Sequence, residues 1–167
     1  MKQELESILS FGAQAVSGEK TIFDQAALRH LDRLMEGNSG YKTIPANPAV
    51  LSQELREGTA KNGQSPLAVI VCCSDSRVPP EHIFHAGIGE LFIVRNAGNL
   101  ISDFALGSVE YAVEHLETPL VVVMGHTGCG AVGTALTPAQ EKGGLAAILA
   151  EIRDAIAGES DPHQAVR

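Results

Sequence analysis

The 167-residue sequence has no basic cluster, no long apolar run and only three cysteines, and each shortage removes a class of function. With 20 acids against 12 Lys and Arg, the net charge is −8, so nucleic acid and anionic membrane surfaces are not expected partners. No apolar stretch approaches the roughly 18 residues that suggest a membrane span. The opening Met1-Lys2-Gln3-Glu4-Leu5-Glu6 lacks the basic-then-apolar order of a secretory signal. Cys72 and Cys73 are adjacent and Cys129 stands apart, a poor disulfide framework. Thiols kept for chemistry or metal in a cytoplasmic protein are the expectation. Internal repeats and low-complexity tracts are absent as well.

What is present is ordinary for one globular domain: 44% apolar and 19% charged residues over a length that can bury a proper core. Residues 3–16 carry Leu5, Ile8, Leu9, Ala13 and Val16 on one helical stripe. A second helix is expected from Asp24, with Ala27, Leu28, Leu31, Leu34 and Met35 apolar, ending before Gly37-Asn38. His30 lies on it and reads as a solvated or packing residue. Residues 37–48 read as a loop, and a third helix is expected from Pro48 to near Gly58.

From residue 67 the pattern changes. Residues 67–73, 91–94 and 120–124 are continuous apolar runs, as expected of parallel strands covered on both faces. Between the second and third lies a helical stretch over 105–116. This rhythm predicts an α/β fold, a central, mainly parallel sheet flanked by helices. Further helices are expected from Gly128 to Leu136 and over 145–156, with a frayed polar end over 158–167. In such sheets ligands gather outside the carboxyl ends of the strands. Two chemistry-bearing clusters follow strand ends: Cys73-Ser74-Asp75-Ser76-Arg77 after the first, and Gly125-His126-Thr127-Gly128-Cys129-Gly130 after the third.

Alternation along an extended segment would point Cys73, Asp75 and Arg77 one way and Cys72 the other, into the core. Thiolate and imidazole are the donors zinc prefers, and Cys73, His126 and Cys129 would leave a fourth tetrahedral position open. Glycines at 125, 128 and 130 permit a tight turn between the last two. On spacing alone the cysteines read equally well as small buried hydrophobes. Asp75 and Arg77 read either as an ordinary surface ion pair or as a fixed pair beside a metal. Gly128-Cys129-Gly130-Ala131-Val132-Gly133 also matches a dinucleotide fingerprint, but no second strand ending in an acid follows it.

Together, Cys73-Ser74-Asp75-Ser76-Arg77-Val78, Arg95-Asn96-Ala97-Gly98-Asn99 and Gly125-His126-Thr127-Gly128-Cys129-Gly130-Ala131-Val132 resemble the three signatures of the β-class carbonic anhydrases, in order and spacing. The match runs from about Leu28 to Leu136. The resemblance implies a Zn2+ enzyme interconverting carbon dioxide and bicarbonate. Its metal ligands would be Cys73, His126 and Cys129, and its catalytic dyad Asp75 and Arg77. It also implies a homodimer or homotetramer, with residues 1–60 packing on the core or on a partner subunit. In some members the aspartate can swing onto the zinc; in the open state it pairs with the arginine. Other readings of the same site are hydrolysis of carbonyl sulfide or carbon disulfide, and a non-catalytic zinc-binding module. The sequence departs from many relatives at Gly40, where they carry Arg or Lys, and at His85, where they carry an acid. Relatives usually continue to a further, Gly-rich C-terminal strand, which this sequence is expected to lack.

Overall fold

The computed structural model describes residues 22–43, 51–138 and 140–161, together with Ala165. The expected helix over 3–16 lies outside these residues. The elements in chain order are α1 (Ile22–Tyr41), α2 (Gln53–Asn62), β1 (Ala68–Cys73), α3 (Pro80–Ile83), β2 (Leu91–Asn96), a 3-10 turn (Ala97–Asn99), α4 (Asp103–His115), β3 (Val121–Met124), α5 (Gly130–Ala135) and α6 (Gly143–Ala155). Among the described residues the sheet has three strands in the order β2-β1-β3, with both pairings parallel.

β1 is the centre, and all six of its residues are buried. Its pleat divides them between two apolar layers. Ala68, Ile70 and Cys72 pack with Leu34 of α1 and with Phe84, Ile93 and Val122. Val69 and Val71 pack with Ala112 and Val109 of α4. Full burial of each Val or Ile side chain stabilises by about 1.5–3 kcal/mol, so this strand anchors the sheet. The flanking strands are less covered than their apolar runs predict. β2 is half-buried throughout, and β3 alternates, with Val121 and Val123 exposed and Val122 and Met124 packed. One face of β3 has no layer over it among the described residues.

Two helices run past their expected ends. α1 continues through Gly37-Asn38 to Tyr41. Gly37 serves close approach, not termination: a Cβ there would clash with the Phe84 carbonyl oxygen. The joint is closed by hydrogen bonds from Arg33 to the Phe84 and His85 carbonyls and from Asn38 to the Ile83 carbonyl. A Cβ at Gly40 would stand 2.8 Å from His85 Nδ1, so the two positions that depart from many relatives lie against each other. His30, on the same helix, lies with Nδ1 2.9 Å from the Leu67 carbonyl and so ties α1 to the residue before β1. α2 starts at Gln53, where the Ser52 hydroxyl accepts from the Leu55 N–H, and runs to Asn62.

Candidate metal centre

Because β1 and β3 are parallel neighbours, with Cys72 opposite Met124, their carboxyl ends lie side by side. Cys73 ends β1, His126 lies two residues beyond β3, and Cys129 caps α5. The turn between the last two needs Gly128, whose φ of 67° an L side chain rarely adopts. The sequence-predicted trio is thereby brought together. The Cys73 and Cys129 sulfurs stand 3.9 Å apart, and the three donor atoms lie within 4.8 Å of one another. Both thiols also belong to an apolar cluster with Val132, Ala135, Leu149 and Ile152, which keeps water from the floor of the site.

The donor set fits a metal ion. His126 Nδ1 is 3.1 Å from the Thr127 carbonyl, which can only accept, so that nitrogen carries the proton. Nε2 is then left with a bare lone pair, buried and without a hydrogen-bond partner. That is the tautomer a metal-ligating histidine needs, fixed by a backbone carbonyl. Burial alone would raise the Cys73 thiol. Hydrogen bonds from the Gly98 N–H, from the Asp75 backbone and from Cys129 outweigh it, and the thiol sits below its ordinary value. Burial dominates at Cys129 and pushes it up, against the N–H groups of Val132 and Ala131. Beside Cys129, Cys73 is the thiol that ionises more readily.

Asp75 and Arg77 lie alongside. Asp75 Oδ1 accepts from Arg77 Nε and from the Arg77 backbone N–H, both at 2.9 Å, and Oδ2 accepts from Nη2 at 2.7 Å. These bonds hold the Asp75 carboxyl well below the usual carboxylate range. Arg77 Nη2 also donates to the Gly128 carbonyl at 2.9 Å, tying the first cluster to the second across 51 residues. Asp75 Oδ2 stands 4.0 Å from His126 Nε2. The expectation that strand alternation delivers Asp75 and Arg77 is corrected here. β1 ends at Cys73, and residues 75–78 form a turn closed by a hydrogen bond from the Val78 N–H to the Asp75 carbonyl. Cys72 faces the opposite layer, and burial pushes its thiol up to about 11.

Sequence reasoning used the middle stretch, residues 95–99, only as a family signature and gave its residues no separate roles, yet it frames the site. The Ser74 N–H donates to the Asn96 carbonyl, and the Asn96 side chain brackets Leu100 by bonding both its N–H and its carbonyl. Gly98, at φ 77°, brings its N–H to the Cys73 sulfur; a Cβ there would stand 2.6 Å from Ile152 Cδ1. Arg95 donates through Nε to the Cys73 carbonyl at 3.0 Å and through Nη2 to the Asp75 carbonyl at 2.8 Å. The signal was available: the first two apolar runs, paired in parallel, end opposite each other, with Cys73 beside Asn96.

A parallel α/β sheet with a Cys-His-Cys donor group at its carboxyl edge, beside a fixed carboxylate–guanidinium pair, defines a protein with a candidate metal centre. The family model described as carbonic anhydrase matches residues 68–166. Carbonic anhydrase 2 of Mycobacterium tuberculosis is 50% identical over 105 residues, which cover 62% of this chain and 49% of that protein. The solved structure of the β-carbonic anhydrase CcaA is similar with a TM-score of 0.57 at 30% identity, covering 82% of this chain and 74% of that one. A tetrameric β-carbonic anhydrase from Sordaria macrospora gives a TM-score of 0.60 at 25% identity, with 83% and 73% covered. The chain therefore belongs to the β-class carbonic anhydrase family, and it spans about half the length of the curated relatives it matches.

Proposed function

We propose that the protein catalyses the reversible hydration of carbon dioxide to bicarbonate and a proton, with Zn2+ as its resident metal. Cys73, His126 and Cys129 would hold the ion, and Asp75 and Arg77 would act on the attacking water. The observation that carries this reading is the buried, unpartnered Nε2 of His126 within a group of three donors closer than 4.8 Å. The chemistry zinc supplies in such a donor set is Lewis acidity, which makes a water nucleophilic near neutral pH. Two thiolates offset more of the metal's charge than neutral imidazoles would, so help from an acceptor at the water matters here. Asp75 is suited to orient that water, not to store its proton, because its carboxyl titrates far below neutrality. Arg77 keeps it ionised and turned in one direction.

Stopped-flow hydration of carbon dioxide on metal-quantified protein tests the reading. The expected result is zinc near one per chain and rapid hydration. One zinc per chain without hydration would remove it, and turnover of carbonyl sulfide or carbon disulfide alone would replace it with hydrolysis of those substrates.

The proposal extends to self-association as a homodimer or homotetramer. The tetrameric relative supports it, as do Ile101 and Phe104, which leave apolar side chains 54% and 92% exposed beside the 3-10 turn that frames the site. A cytoplasmic location suits the three free thiols. No helix among the described residues is long and apolar enough to cross a membrane. Sedimentation of the purified chain decides the assembly.

A further inference from the structure

Arg95 is the one charged side chain of β2, and it stands in register with Cys72. Partners in a parallel ladder share a face, so Arg95 lies with Leu91 and Ile93 on the layer that holds Cys72, behind the site. From there its guanidinium reaches one carbonyl at the end of the β1 ladder and one just past it: Cys73 through Nε at 3.0 Å and Asp75 through Nη2 at 2.8 Å. The Asp75 carbonyl also accepts from the Val78 N–H at 3.2 Å, while the Asp75 carboxylate accepts from the Arg77 N–H at 2.9 Å. One planar fork thus fixes the backbone on both sides of Ser74, at the residue that offers the thiol and at the residue that offers the carboxylate.

We infer that Arg95 is a positioning residue: it holds the 75–78 turn in the geometry that presents the Asp75 carboxylate to the reacting water. Its side-chain hydrogen bonds go to these two carbonyls and to none of the three donor atoms, so it acts on the site through this backbone. A lysine could not replace it, since a single ammonium presents no fixed fork to two carbonyls two residues apart. The kinetic part of this inference rests on the proposed hydration reaction; the structural part does not.

The test is Arg95→Gln, with Arg95→Lys measured in parallel so that poor folding of one variant leaves the other. The first arm is amide hydrogen exchange on the zinc-loaded protein. Exchange at the Arg77 and Val78 amides should quicken about tenfold or more, the factor expected for losing a charge-assisted hydrogen bond, while the β1 amides stay unchanged. Unchanged exchange at 77–78, or equal acceleration throughout β1, overturns the inference, the second because it marks a general structural support. The second arm is a double-mutant cycle in hydration. Arg95→Gln should lower kcat about tenfold in the native background and less than about threefold in an Asp75→Asn background, because the two act through one element. Equal losses in both backgrounds overturn it. A native protein with zinc but no hydration would remove the proposed reaction and leave the exchange arm standing.

Discussion

Cys72 and Cys73 are consecutive in one strand and almost equally hidden, at 0% and 5% exposure, yet their surroundings prepare them for opposite fates. Cys72 looks into a layer of Leu34, Ala68 and Ile70, where burial drives its thiol up to about 11. Cys73 looks the other way, and there the Gly98 N–H, the Asp75 backbone and Cys129 overcome the same penalty of burial and bring its thiol below the ordinary value. Burial by itself makes a cysteine an inert apolar residue; convergent donors and partners make it a ligand. The pleat of β1 separates the two roles by a single residue.

The largest way to break this comparison is to remove a donor from the active face. Cys73→Ser and His126→Ala should each weaken zinc binding by more than about 100-fold, beyond what loss of an outer partner costs, as read by competition with a chromophoric chelator. Retention of stoichiometric zinc by either would undo the ligand assignment. Asp75→Asn comes next. The amide keeps the shape and loses the charge, so zinc should stay near one per chain while hydration falls about 100-fold. Full activity in this variant would leave Asp75 as nothing more than an exposed ion pair.

How much of this the sequence discloses depends on the distance over which each feature is determined. The burial of β1 and the opposed faces of Cys72 and Cys73 follow from a local apolar run and a period of two, so they can be read directly. The meeting of Cys73 with His126 and Cys129 follows from the rule that ligands gather at the carboxyl ends of parallel strands. The approach of Asp75 and Arg77 was expected for a partly wrong reason, since a turn and not strand alternation delivers them. The end of α1 was misplaced because Gly37 reads as a stop, whereas here it admits the Phe84 carbonyl. Contacts made between distant segments leave no periodic trace, and for the same reason Arg95 and Gly98 stood in a family signature with no role of their own.

Gly98 allows a smaller and sharper test. Alanine there must accept a φ of 77° and a contact of 2.6 Å with Ile152 Cδ1, so Gly98→Ala should cost about 2 kcal/mol in urea unfolding. Adding Ile152→Val removes the clashing methyl, and the pair should cost less than the sum of the two single changes. In the metal-free protein, Gly98→Ala should also shift alkylation of Cys73 to higher pH, because displacing the Gly98 N–H takes away a bond that favours the thiolate. An unchanged alkylation profile would mean that the Asp75 backbone and Cys129 suffice.

The smallest effect belongs to Cys72→Ala. Zinc stoichiometry and hydration should be unchanged, and stability should fall by about 1 kcal/mol for the small cavity left between Leu34 and Ile70. The sign of its pH dependence separates the two cysteines once more. Below the ordinary thiol value of 9.0 Cys72 is protonated in both states and titration adds nothing. Between there and about 11 the unfolded chain releases this proton while the folded chain retains it, so native stability falls as pH rises. The alanine variant has no such proton to lose. The stability gap between native and variant should therefore close and then change sign between pH 8 and about 10.5 in urea titrations of the metal-free protein. A gap independent of pH would mean that Cys72 is not held neutral by its layer, and the contrast between the two faces of β1 would lose its electrostatic half.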